Sequence, residues 1–122
     1  MPKRKEKVKE EGIKEEDPKS RYIDNDEFYR LLKEYGKQKP PRVIGDELAN
    51  MLLKLAVGVS YMNSFINYSD DWKNEMISDA LYFSTKYIDR FDIKKYKNPH
   101  AYFTTICIRA FKMRIKKEKA QN

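Results

Sequence analysis

The chain has one histidine and one cysteine, and neither stands where it would do chemistry. A Ser-His-Asp triad or a His-rich metal set cannot be assembled around a lone imidazole. His100 follows Asn98-Pro99, so it falls in the first turn of a helix, where packing or a cap contact is its expected role. Cys107 lies among Ile106, Ile108 and Phe111, surroundings that suit an inert buried thiol rather than a nucleophile. Asp70, Asp71, Glu75 and Asp79 carry oxygen ligands, but carboxylates at a helix start and along a solvated face are expected there without a metal. No glycine-rich phosphate loop is present. What remains is binding chemistry. Between Lys94 and Lys119, nine cationic residues (Lys94, Lys95, Lys97, Arg109, Lys112, Arg114, Lys116, Lys117, Lys119) face a single acid, Glu118, a local excess of +8. Tyr96, Tyr102 and Phe103 are interleaved with them. Cations neutralise phosphates while rings stack on unpaired bases, which points to nucleic acid. The plainer alternative is a solvated basic helix end that complements the helix dipole. The expected class is a binding protein rather than an enzyme, with no cofactor and no metal.

The elements that position these residues are helical. Hydrophobic residues make up 40% of the 122 and charged residues 37%, with only four glycines and few alternating β-branched runs, which favours a small all-α bundle over a sheet. The net charge of +7 and pI of about 9.4 suit an anionic partner. No apolar run approaches a membrane span, and the N-terminus lacks the apolar core of a signal peptide, so a cytoplasmic location is expected. Residues 1–20 mix seven basic with six acidic side chains and hold only Val8 and Ile13 as larger apolar groups. They read as a disordered charged tail, leaving residues 21–122 as the folded domain.

Asp24 is placed to cap a first helix, with Glu27 three residues on and Phe28, Leu31, Leu32 and Tyr35 on one face. Gly36 and Pro40-Pro41 end it, and its shortness suggests a satellite of the core. A second helix starts at Gly45 or Asp46. Its stripe Leu48, Leu52, Leu55, Val59, Met62 and Ile66 predicts a buried face as far as Ile66, widened by Met51, Tyr61 and Phe65. Gly58 within it suggests close helix packing. Ser69 caps a third helix over about 70–90, whose buried side is Trp72, Met76, Ile77, Ala80, Leu81, Ser84, Ile88 and Phe91. Glu75, Asp79, Tyr82 and Lys86 share its exposed stripe. Asn98-Pro99 opens the last helix, with Phe103, Ile106, Cys107, Ala110 and Phe111 inward.

These residues also carry a family resemblance. EMISDALYFSTKYIDRFD (75–92), followed by a Tyr-Lys loop and an Ile-Arg helix, resembles region 2 of bacterial sigma factors. WKNEM, FD-x-x-KYKNPHAY and RIKKEK are similar to the late-transcription sigma factors of T-even-type bacteriophages, and the match covers roughly 72–119. The resemblance implies a helical bundle like sigma domain 2. It implies docking of the third helix on the clamp helices of the β′ subunit of bacterial core RNA polymerase, with Glu75, Ser78, Asp79 and Tyr82 at docking positions. Such carboxylates would set orientation and on-rate more surely than affinity. It further implies that the loop and last helix open and read an A/T-rich minus-ten-type promoter DNA element. Tyr96, Tyr102 and Phe103 are then the rings for a flipped base, with Lys95 and Lys97 on phosphates. Ile106 stands where a wedge would prop the duplex edge. Arg109, Lys112, Met113 and Arg114 fall where that edge is read. The setting implied is the cytoplasm of an infected bacterial host.

Two departures accompany the likeness. Ile106-Cys107 replaces the Trp pair of housekeeping sigma factors, and isoleucine cannot stack as an indole does. The sequence to Asn122 also shows neither the domain that reads the upstream promoter element nor the acidic-hydrophobic peptide that engages a sliding clamp. The resemblance then implies either a minimal relative with a separate phage coactivator or a piece of a longer protein. Two other readings stay open, a polymerase-binding regulator without promoter opening and an unrelated basic helical DNA-binding protein.

Overall fold

In the computed structural model, which describes residues 22–120, helix α1 runs Asn25–Gly36, α2 Asp46–Ser60, α3 Asp70–Tyr87 and α4 Pro99–Ala120. A single 3-10 turn, Ile88–Arg90, extends α3. No strand occurs among the described residues, so the fold is all-α. The expected tail, residues 1–20, lies outside the described residues.

Three of the four described helix starts have a side-chain cap, and α2 begins after Gly45 without one. Asp24 Oδ1 accepts from the backbone N–H of Asp26 and Glu27 at 3.0 and 3.3 Å, and Ser69 Oγ accepts from Trp72 N–H at 3.2 Å. Asn98 Oδ1 accepts from Ala101 N–H at 3.1 Å. These satisfy donors that a helix start otherwise leaves unpaired. Asn25 adds a bond from a distant element: its Oδ1 accepts from His100 N–H at 3.2 Å and its amide donates to Asn98 Oδ1 at 3.3 Å. The starts of α1 and α4 are thereby tied together.

The core is built around α4, which packs on α1, α2 and α3 and most extensively on α3. Phe28, Leu52, Met76, Phe103, Cys107 and Phe111 are among its fully enclosed side chains. The Phe28 and Phe103 rings lie 5.5 Å apart, so α1 is a full member of the core rather than the expected satellite. Leu31, Leu32 and Tyr35 are buried with Phe28, so four side chains integrate this short helix.

Two further expectations are corrected on α2. The helix stops at Ser60, and the chain passes through turns in which Phe65 and Ile66 N–H both donate to the Met62 carbonyl, at 2.8 and 2.9 Å. Ser60 Oγ donates back to the Val57 carbonyl at 2.6 Å, the local side-chain bond by which serine competes with continued helix. The change of pitch takes Met62 and Ile66 out to 41% and 40% exposure and gives the inward position to Phe65, 3% exposed. Phe65 meets Phe111 edge-on at 5.0 Å. Gly58 does not mark a close approach, since a Cβ built on it meets nothing within 4 Å.

Candidate nucleic-acid interface

Along α3, Phe83, Tyr87 and Arg90 are spaced four and three, and along α4, Tyr102, Ile106, Arg109 and Met113 are spaced four, three and four. Both series follow the helical repeat, so each lines one face. The two faces meet across an open groove of about 530 Å³, which Thr105 and Ala110 complete. Its walls are aromatic and aliphatic, and its cations are Arg90 and Arg109. Four of the residues expected to contact DNA (Tyr102, Ile106, Arg109 and Met113) are brought together here. Phe83, Tyr87 and Arg90 were not expected, although their spacing alone placed them on one face beside the predicted buried side of α3.

The rings form two groups, one on α3 and one around Tyr102. Phe83 and Tyr87 stack nearly parallel with centroids 6.2 Å apart, and the Arg90 guanidinium lies over Tyr87 at 4.8 Å. Lys86 Nζ stands 5.7 to 6.0 Å from the rings of Tyr82, Phe83 and Tyr87, a distance at which ring quadrupoles attract a cation. Tyr102 donates its hydroxyl to the Tyr87 carbonyl at 3.2 Å. Burial, and secondarily Tyr96 nearby, pushes the Tyr102 hydroxyl above the usual phenol range, against a lowering by Arg90. It therefore stays a donor at neutral pH.

The basic loop is fixed and adjoins this groove through Tyr96. Asp92 Oδ1 accepts from the N–H groups of Lys94 and Lys95 at 3.1 and 3.3 Å, and Tyr29 donates its hydroxyl to the Ile93 carbonyl at 2.9 Å. Lys94, Lys95 and Lys97 remain exposed. Tyr96 is 41% exposed and its ring tilts against Tyr102 at 5.9 Å, with Lys95 Nζ 5.7 Å above it. Lys95, Tyr96 and Lys97 thus stand on the surface, as their expected role needs. Lys112 is exposed but does not line the groove.

Three site expectations are corrected. Phe103 is fully buried between Phe28, Phe91 and Tyr102, so it cannot stack on a base; its helix position suits the core better than the groove. Arg114 is not free to read DNA. Its Nε and a terminal nitrogen donate to the two Asp79 carboxylate oxygens at 2.7 and 3.0 Å, and its other terminal nitrogen donates to Glu118 at 3.2 Å. Glu75 lies 3.6 Å away. The same contacts correct the third expectation, an exposed stripe on α3, at Asp79 alone, which is half-buried while Glu75, Tyr82 and Lys86 are exposed. Asp79 retains 26% side-chain exposure and Glu75 60%. Ser78 is exposed, and Tyr82 is 59% exposed.

The remaining chemistry is sparse. Among the described residues no three His, Cys, Asp or Glu side chains stand close enough to hold a metal ion. The His100 ring faces Thr104 Oγ1 at 3.3 Å on the surface. Burial pushes the Cys107 thiol up to about 12, partly opposed by a hydrogen bond from Ser84. No described helix is long and apolar enough to cross a membrane. No protein-family model matches the chain, and no curated protein matches it significantly.

Proposed function

We propose that the protein is a sigma-like transcription factor that docks on bacterial core RNA polymerase through α3 and holds promoter DNA along the α3–α4 groove and the Lys94–Lys97 loop. The observation that carries this reading is the groove itself. It sets Phe83, Tyr87 and Tyr102 beside Arg90 and Arg109, and Tyr96 of the basic loop leans on Tyr102. Flat apolar walls take an unpaired base and flanking cations take its phosphates. A membrane headgroup would use the cations but not the rings. The docking surface is Glu75, Ser78, Asp79 and Tyr82, for the β′ clamp helices; the DNA surface is Lys95, Tyr96, Lys97, Tyr102, Ile106, Arg109, Lys112 and Met113, joined by Phe83, Tyr87 and Arg90. The reading places the protein in the cytoplasm of an infected bacterium, with a separate phage coactivator as a further partner.

Two residues favour a second reading. Phe103 is enclosed and Ile106 stands where larger rings would prop the duplex, which suits a regulator that binds polymerase without opening DNA. A transcription assay separates the two. The protein is added to core polymerase on supercoiled templates with and without a TATAAATA-like element. Element-dependent initiation supports the sigma-like reading, whereas polymerase binding without selective initiation supports the regulator. Absence of polymerase binding would overturn both and leave a basic DNA-binding bundle.

A further inference from the structure

Helix α1 and the chain that leaves it run along the α3–α4 connection and tie to it at three places. Asn25 bonds Asn98 and the His100 N–H, the Tyr29 hydroxyl donates to the Ile93 carbonyl at 2.9 Å, and an Arg42 terminal nitrogen donates to Asp89 Oδ1 at 3.2 Å. The order is antiparallel, so the brace spans the connection from the 3-10 turn to the start of α4. Its first two ties flank the basic loop. The third reaches the turn that carries Arg90.

Arg42 is prepared for that contact. Its Nε donates to the Gln38 carbonyl at 3.1 Å and its guanidinium lies 5.9 Å from the Tyr35 ring centroid. Gln38 is itself bonded in both directions to Val43, at 2.8 and 3.0 Å. A lone surface ion pair contributes little, because two flexible side chains must be ordered to make it; here one is ordered beforehand. Asp89 is the middle residue of the turn Ile88–Arg90, in which successive side chains point about 120° apart. A grip on Asp89 therefore fixes the rotation of the turn and, with it, the direction of Arg90, which lies over Tyr87 at 4.8 Å and lines the groove. Neither Arg42 nor Asp89 lines the groove. We infer that Arg42 and Asp89 are positioning residues for the DNA surface: their pair aims Arg90 at a phosphate while neither touches the nucleic acid. The inference rests on the DNA reading above. A guanidinium held in place before binding loses less freedom when it meets phosphate.

The test is fluorescence anisotropy on the full chain, with a labelled duplex carrying an unpaired A/T-rich segment, across a salt series. In Asp89→Asn the grip on the turn is lost while the DNA surface keeps every residue. Affinity should fall about fivefold, the cost of ordering one long side chain at an interface, with the log–log salt slope unchanged because the Arg90 contact is still made. Loss of a carboxylate by itself moves affinity for a polyanion the other way, so the sign of the effect separates positioning from plain charge. Arg90→Gln should make the slope shallower by about 0.9, one phosphate contact, and in that background Asp89→Asn should no longer weaken binding. A rise or no change in Asp89→Asn alone, or an equal fall in both backgrounds, overturns the inference. Arg42→Gln, which releases the turn from the other side, should weaken binding with the same dependence on Arg90 and decides the matter if Asp89→Asn does not fold. Wild-type protein that fails to bind the duplex at about 50 mM salt would overturn the DNA reading and the positioning role together, an outcome distinct from binding that is indifferent to Asp89.

Discussion

Phe103 shows what a single side chain can conceal. Its place beside Tyr102, in a basic helix, is compatible with stacking on a base or with packing in a core, and the two uses assign opposite phenotypes to Phe103→Ala. Full burial against Phe28 decides for the core: the substitution should cost about 3–5 kcal/mol, seen as a lower urea midpoint with no DNA added. Arg109 is the contrasting case, exposed at the groove. Arg109→Ala should change the unfolding free energy by no more than about 0.5 kcal/mol and make the salt slope of DNA binding shallower by about 0.9. Cys107 sets a pH dependence. Its thiol is raised from 9.0 to about 12 by burial, and Tyr35 and Tyr102 are raised in the same direction, burial being the first cause in each. The unfolded chain then releases protons that the folded chain retains. Stability is unaffected below about pH 9 and falls as pH rises toward 12, by at most about 1.4 kcal/mol per pH unit for the thiol alone. Denaturant midpoints between pH 7 and 10.5 would show it, and Cys107→Ala should flatten part of the decline.

At the scale of the element, what the sequence disclosed depended on whether a local rule was in force. Asp24, Ser69 and Asn98 could be recognised as caps because capping depends on a few consecutive residues, and all three act as caps. The buried side of α3 could be read at Met76, Ala80 and Ser84 because one helix keeps one period throughout. The end of α2 could not, since apolar spacing continues to Ile66 while the backbone leaves the α-helical pitch after Ser60. The groove was half legible: the α4 series was singled out residue by residue, but its α3 wall depends on how two helices cross, which spacing along either one does not specify. Gly58 offers a test at this scale. It lies inside α2 with nothing within 4 Å of a Cβ, so Gly58→Ala should stabilise by about 0.5–1 kcal/mol, visible as a higher melting temperature.

The whole molecule separates its charges unevenly. Much of the net +7 lies on α4 and the loop before it, yet part of that excess is spent internally where Arg114 meets Asp79, Glu75 and Glu118. Counting charges along the chain therefore overstates the field near the end of α4 and not the field at the loop, where Lys94, Lys95 and Lys97 stand exposed. Pairing across 35 residues is invisible to a local count.

Because α4 packs against each of the other three helices, the helix that bears most of the groove is also the strut of the fold. Its middle, from Phe103 to Phe111, is held by enclosed side chains before any ligand arrives. A recognition surface of that kind is preorganised: association need not order a backbone, so little conformational entropy is lost on binding. The heat-capacity change should then reflect only the surface covered, without the larger contribution of coupled folding. Amide hydrogen exchange through the middle of α4 should be slow already in the free protein and little altered by DNA.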